Sequence, residues 1–362
     1  SGLDVNLSNE TVIKTAKQEP VKTSKVTQWQ SKADDWLGLN ELQKTFDAFD
    51  EIFNAIPSYT TQRDTVKNVE NIRASNFADN IKMDDHHNIV YALDGDDRIE
   101  TFGGDDTIIA GNGDDIVRAG TGDDKINGGQ GNDRLFGEAG DDVFQQNDCQ
   151  GRDTFDGGAG LDKVDYSNLL PSRRVIVDLL KGYAEKQIKK AGEKAVTIGK
   201  DRLINIEGVI GTQEKDRLSG DANDNLLDGR GGNDIFRGRG GNDLLCGGKN
   251  NDTYLFSKGD GHDIIEDKGG DHDKIVFYSA LNNFIIHRQA NELVITSNNN
   301  KDSVTVKNHF SNSNNKMEYI YWDSKKYTMD DLTNTAATLA GAGANSWSYN
   351  ASDLLQRGNS FS

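Results

Sequence analysis

Between residues 92 and 145 a pair of acidic or amide side chains returns every nine residues: Asp96 with Asp97, Asp105 with Asp106, Asp114 with Asp115, Asp123 with Asp124, Asn132 with Asp133, and Asp141 with Asp142. Each pair follows directly on a glycine (Gly95, Gly104, Gly113, Gly122, Gly131 or Gly140) and stands two places before an apolar residue. Paired carboxylates can work as an acid and a base, or they can hold a hard cation. No GxSxG, HExxH or Walker loop accompanies them, so cation binding explains them better and the chain is not expected to be an enzyme. An enzymatic domain upstream of this stretch stays compatible with that reading.

The element that must position these pairs is itself periodic. The apolar places are Ile81, Val90, Ile99, Ile108, Val117, Ile126, Leu135 and Phe144, eight in a row. Chance gives this roughly once in 5,000 at the chain's apolar frequency. The order within a unit is turn glycines, an acidic residue closing the turn, then three strand residues whose middle one points inward. Nine residues thus make half a coil, and units eighteen apart lie one strand spacing, about 4.8 Å, from each other in a flattened parallel β-helix. Carboxylates stack on carboxylates, a repulsion of about 1 kcal/mol per close pair even at water-like dielectric. A divalent ion between them removes it. Carboxylates beside turn carbonyls, with no His/Cys set, select Ca2+ over Zn2+.

Two more units after an insertion at Gln146 and Asn147 place Phe155 and Val164. A second array starts at Gly211, with Leu218, Leu227, Phe236, Leu245 and Tyr254, skips Phe256 and Ser257, and continues with Ile265 and Ile275. Composition agrees with a thin core: 34% of the 362 residues are hydrophobic, below the about 45–50% of ordinary globular chains. The net charge of −18, from 59 acidic and 41 basic residues, disfavours nucleic acid and anionic lipid and favours cationic partners. No run of 18 apolar residues exists, so no transmembrane segment is expected, and the opening lacks a basic-then-apolar leader. The first residue is Ser, and the chain reads as a fragment. Cys149 and Cys246 read as lone thiols. His86 and His87 adjoin on a degenerate coil and read as surface residues.

"GGQGNDRLF" (128 to 136) resembles the GGxGxDxUx nonapeptide of RTX proteins. The resemblance implies Ca2+ ions, roughly a dozen in all, each bridging two stacked turns. One turn gives its sixth-position Asp and backbone carbonyls, the other its carbonyls and fifth-position side chain. The sixth positions are Asp97, Asp106, Asp115, Asp124, Asp133, Asp142, Asp153 and Asp162, then Asp216, Asp234, Asp243, Asp252, Asp263 and Asp273. The fifth are Asp96, Asp105, Asp114, Asp123, Asn132 and Asp141, then Asp224, Asn233, Asn242 and Asn251. Gly232 and Gly241 join the six turn glycines of the first array. Units 74–82 and 83–91 lack turn glycines and read as a capping coil. Asn225 for Asp, Glu214 and Asn250 for Gly, and His262 and His272 in fifth positions weaken the second array.

The flanking segments repeat as well. "DTVKNVENIRASNFADNIKMD" (64 to 84) aligns on "DRLINIEGVIGTQEKDRLSGD" (201 to 221) at a constant offset of 137, and "DVNL" (4 to 7) matches "IVDL" (176 to 179). The first copy carries 35 extra residues, including an amphipathic helix expected at 31–57, with Ser31 as cap and Pro57 as stop. Strand, excursion, cap segment and coils resemble the repeat domain of adenylate cyclase toxin-hemolysin. Past Phe277 the sequence alternates as strands, similar to the module that closes RTX toxins, and a cap is physically required where a coil would end open.

The expected fold is therefore all-β: a parallel β-roll in two stacked arrays with flanking β-strand caps, one inserted α-helix and a C-terminal β-sandwich-like cap. The boundaries are 1–73 for the flanking segment with its helix, 74–165 and 211–276 for the two β-rolls, 166–210 for the linker and 277–335 for the cap. Composition makes 336–362 a mobile tail, and resemblance makes it a type I secretion signal. The resemblance implies a secreted, extracellular toxin region, of cytolysin or cyclase type, that engages the secretion apparatus by its tail and a receptor on the host cell surface. Alternatives are the end domain of an RTX adhesin, or the non-catalytic C-terminal domain of an RTX protease or lipase.

Overall fold

The computed structural model describes residues 3–6, 11–17, 59–64, 69–147, 150–190, 192–278, 284–297, 301–311, 315–322, 325–340 and 346–350. The helix expected at 31–57 and Cys149 lie outside the described residues.

Short strands alternate between two sheets, of 14 and 17 strands among the described residues, and the chain crosses from one sheet to the other at each glycine-rich turn. Parallel pairing runs in steps of eighteen residues. On one sheet Ile81 faces Ile99, then Val117, then Leu135. On the other Ile72 faces Val90, then Ile108, Ile126 and Phe144. The insertion at Gln146 and Asn147 lengthens one coil, so Leu135 faces Phe155 and Phe144 faces Val164. Every eighth-position side chain from Ile81 to Ile275 is at most 1% exposed. This is a parallel β-roll whose core is built on one inward apolar residue per nine, each such burial contributing about 1.5–3 kcal/mol, with small residues such as Ala92, Ala110 and Ala119 buried beside them. That is less than the backbone entropy of the nine residues it fixes, so burial alone does not hold the coil.

The two arrays form one continuous solenoid. The segment 166–210, expected as a linker, supplies coil strands itself: Phe155 faces Leu203, Val164 faces Val209, and Val209 faces Leu227. Between Val164 and Leu203 the chain makes an antiparallel excursion of Arg173–Asp178, Tyr183–Ile188 and Val196–Ile204. Arg173–Asp178 then pairs in parallel with the strand of Leu218, placing Ile176 opposite Arg217. The N-terminal strands Leu3–Asn6, Thr11–Lys17 and Tyr59–Asp64 repeat this topology, with Asp4 opposite Asn80. The internal alignment of the sequence predicts the same two registers.

At the far end Ser303–Val306 adds to the strand His262–Glu266, and Tyr319–Trp322 to Lys274–Phe277, both in parallel. Antiparallel strands then close each sheet: Glu292–Ser297 and Phe284–Gln289 on one side, Lys325–Thr328 on the other. The helix Met329–Ala340 starts at Thr328, whose hydroxyl accepts the Asp331 N–H at 3.2 Å. The expected mobile tail is corrected in part. Its first residues end this helix, and Ser346–Asn350 forms a strand antiparallel to Phe284–Gln289. Composition could not show that an edge strand stood open to receive it.

Candidate metal centre

The turns place the acidic pairs in two stacked rows, one along each edge of the roll. Gly113 shows why glycine must precede each pair. Its φ is +144°, and a Cβ there would lie 1.8 Å from the Gly95 carbonyl oxygen of the coil below. Gly95, Gly104, Gly122, Gly131, Gly140, Gly232 and Gly241 share the positive φ. Close stacking of turn on turn brings carbonyl oxygens beside the carboxylates.

Each sixth-position carboxylate reaches one coil back. Oδ1 of Asp97 accepts the Asp79 N–H at 2.8 Å, Asp115 that of Asp97 at 2.7 Å, and Asp133 that of Asp115 at 2.9 Å. On the other edge Asp106, Asp124 and Asp142 accept from Asn88, Asp106 and Asp124 at 2.7, 2.7 and 2.9 Å. Asp153 and Asp162 continue the two rows across the insertion. The fifth positions do the reverse and reach one coil forward. Oδ1 of Asp96, Asp105, Asp114 and Asp123 accepts the N–H of Asp114, Asp123, Asn132 and Asp141 at 2.8 to 3.0 Å. Asn132 and Asp141 accept from Arg152 and Leu161. In the second array Asp234, Asp243, Asp252, Asp263 and Asp273 bond backward and Asp224, Asn233, Asn242 and Asn251 forward in the same way.

The second carboxylate oxygen decides the chemistry. Oδ2 of Asp97, Asp106, Asp115, Asp124, Asp142, Asp162, Asp234, Asp243, Asp252 and Asp273 is buried and has no hydrogen-bond partner among the described residues. An ionised oxygen taken from water and left unpaired is strongly unfavourable, so it must be met by a proton or a cation. Burial pushes Asp115 and Asp124 up to about 8, and Asp234 and Asp252 up to about 9. Neighbouring carboxylates add to the rise. Rows of anionic oxygens beside stacked carbonyls, all hard donors, fit calcium.

A family profile described as the RTX calcium-binding nonapeptide repeat (4 copies) matches residues 84–117, 109–144, 150–167, 210–245 and 219–254. The chain carries RTX calcium-binding repeats. A haemolysin-type calcium binding protein related domain matches 292–321, inside the C-terminal cap. Among solved structures the chain is similar to the extracellular lipase LipA from Serratia marcescens, at 22% identity and a TM-score of 0.21. The match covers 60% of this chain and 42% of that one, so this chain spans less than half of the lipase.

Not every RTX position keeps a free oxygen, and at two expected ligands the protein itself engages both oxygens. Asp153 Oδ2 faces the buried ammonium of Lys186 at 3.0 Å and also accepts from the Gln146 amide. Asp216 Oδ2 accepts the Thr212 N–H at 2.6 Å and its hydroxyl at 3.1 Å, as Asp79 accepts from Ser75 at the matching place in the first cap segment. Both carboxylates are satisfied by the protein. Asn225 sets a buried, unpartnered amide nitrogen where other turns set an oxygen, so that turn offers a donor instead of a ligand.

Four acidic residues, three of them in the rows, escape a nonapeptide search. Asp201, Glu207 and Glu318 accept the N–H of Asp153, Asp162 and Asp273 and extend the rows into the cap segments. Each precedes a buried apolar residue by two places, the spacing of the repeat without its glycines. Asp267 follows the strand His262–Glu266 at no repeat position, and its carboxylate is fully buried beside Asp252 and Asp273. His86 and His87 are exposed, and Cys246 is a free thiol that burial pushes up to about 12.

Proposed function

We propose that this chain is the calcium-responsive region of a secreted bacterial toxin of cytolysin or adenylate cyclase type. It stays unfolded in low calcium, is exported tail first by type I secretion, and folds outside the cell to engage a host-cell surface. The reading rests on one observation: among the described residues, ten buried carboxylate oxygens without a partner, in rows whose other oxygens already bind the backbone. Calcium bound at these turns, roughly a dozen ions, supplies the positive charge that lets stacked coils approach.

The chain's own residues set the threshold. Without a cation, the Asp rows repel across the strand spacing, and one inward residue per nonapeptide is too little apolar burial to order the coil. An open coil suits passage through a narrow export channel. Once the rows are neutralised, the Oδ1 and backbone N–H bonds close each turn on the next, and folding follows by mass action. The toxin class rests on the order of strand, excursion, cap segment and coils, which occurs twice here. The carboxylates that could serve acid–base chemistry are engaged in the rows, which supports a non-catalytic role for this region.

Far-UV circular dichroism of the chain in chelator should show coil, turning to β between sub-millimolar and millimolar Ca2+, the range of extracellular calcium modules. A folded spectrum in chelator would overturn the proposal.

A further inference from the structure

One cluster of carboxylates differs from the rows in kind. Asp252, Asp267 and Asp273 are each fully buried, and one ligand oxygen of each lies within 4.8 Å of the other two. Asp252 and Asp273 are row members: their Oδ1 atoms accept the N–H of Asp234 and Asp252, and their Oδ2 atoms have no partner. Asp267 is not. It enters from the end of a neighbouring strand, in the stretch where 21 residues, instead of 18, separate Asp252 from Asp273. Its Oδ2 accepts the Tyr254 hydroxyl at 2.7 Å.

Tyr254 sharpens the contrast. It occupies an inward eighth position, where the other coils carry aliphatic residues or Phe, and stacks on Phe236 at 5.2 Å between ring centroids. Its polar tip reaches the cluster. On the remaining side stands Gly247, where a Cβ would lie 2.1 Å from the Tyr254 hydroxyl oxygen, 2.5 Å from Asp252 Oδ2 and 2.9 Å from Asp267 Oδ2. The missing side chain leaves these oxygens facing one another.

Three carboxylates at this separation repel, and among the described residues no lysine or arginine forms an ion pair with any of them. Where two row carboxylates meet at the junction of the arrays, Lys186 stands between Asp153 and Asp201 at 3.0 and 2.9 Å. The cluster has one more carboxylate and no such lysine.

We propose that Asp252, Asp267 and Asp273, with the Tyr254 hydroxyl, form a separate site for a hard divalent cation, calcium, that binds more tightly than the turns of the rows. This rests on the calcium reading of the repeats and adds a ligand that the repeats do not supply. A third carboxylate raises the ligand charge, the quantity that most strongly tunes calcium affinity. The tyrosine hydroxyl donates to Asp267 and keeps its lone pairs for the ion. The site fills first as calcium rises and empties last, so ordering starts at the C-terminal end of the roll.

The test is equilibrium calcium binding to the whole chain in chelator-buffered solution, with Asp267→Asn, Tyr254→Phe and, as a row control, Asp115→Asn. The wild type should show one ion of a tighter class. Asp267→Asn should lose that class, by about tenfold or more in affinity, and keep the remaining ions. Tyr254→Phe, which retains all three carboxylates, should weaken the same class alone. Asp115→Asn should lose a weaker ion and keep the tight one. An Asp267→Asn chain with an unchanged tightest class, or a wild type with no such class, overturns the inference and leaves the row reading standing. A wild type that binds no calcium overturns both. Should Asp267→Asn fail to reach the wild-type β spectrum at saturating calcium, Tyr254→Phe decides: an unchanged tight class in that variant counts against the site.

Discussion

A sixth-position aspartate has two oxygens with different work. In Asp115, Oδ1 holds the Asp97 N–H at 2.7 Å and thereby the register of the coil, while Oδ2 is buried without a partner. Burial, then the stacked carboxylates, raises such groups to about 7 in Asp97 and Asp106 and about 8 in Asp115 and Asp124. In the unfolded chain they titrate near 3.9. In chelator, then, the folded form binds more protons than the unfolded form from about pH 4 to 8, and its stability falls as pH rises through that window. In the coil these carboxylates are already ionised at pH 6 to 8, as they are with calcium bound, so the calcium midpoint for folding should hold across that range and rise only as pH falls toward about 4, where protons compete for the same oxygens. Circular dichroism titrations at about pH 4, 6 and 8 measure it, and a midpoint that does not rise on acidification would mean that these carboxylates are not the ligands. The stacking of the acidic positions was readable in the sequence because spacing alone decides what stacks on what. The pairing of Asp153 was not, because the group that satisfies it, Lys186, comes from an excursion outside the period. Asp216 carried a local signal, Thr212 four residues earlier, which a nonapeptide template passes over.

At the scale of elements, the excursion Arg173–Ile188 contributes a fixed charge to the roll. Lys186, on Tyr183–Ile188, is fully buried between Asp153 and Asp201, and the Tyr166 hydroxyl donates to Asp201 at 3.2 Å. Burial opposes its charge, but the two carboxylates outweigh that and raise its pKa. The ammonium thus holds together two coils where the row changes from one array to the next. Lys186→Met would leave two carboxylates buried without their cation, a loss of about 3–5 kcal/mol. Urea unfolding at saturating calcium should show it, and a change under about 1 kcal/mol would mean that the junction does not depend on this charge. The coil strands were legible because a period of nine with one inward residue admits a single geometry. The final strand Ser346–Asn350 was not: its partner Phe284–Gln289 lies about 60 residues earlier, and an Ala- and Ser-rich composition carries no trace of that pairing.

Over the whole molecule the two sheets pass unbroken through the junction, so each coil depends on the one beneath it and the ends carry the cost of an open stack. That continuity was hidden in the sequence because 48 residues separate Asp153 from Asp201 while the structure puts them on successive coils. The need for a cap was visible, since a roll of this kind ends on unpaired strands. In the structure Ser303–Val306 and Tyr319–Trp322 cover the last two strands of the roll. A run of rings fills the end of the interior: Phe256 on Phe277 at 5.9 Å, Phe277 on Phe284 at 5.3 Å, and Phe284 on Trp322 at 4.9 Å. A chain ending after Tyr278 keeps every repeat carboxylate but bares His262–Glu266, Lys274–Phe277 and the phenylalanines beneath them. If folding starts from a closed end, that chain should remain coil at calcium concentrations that fold the full chain, with its midpoint raised by about tenfold or more. Paired circular dichroism titrations compare the two. Equal midpoints would show that the rows fold the roll unaided, and that the cap, with the calcium binding protein related domain inside it, serves some purpose other than closing the stack.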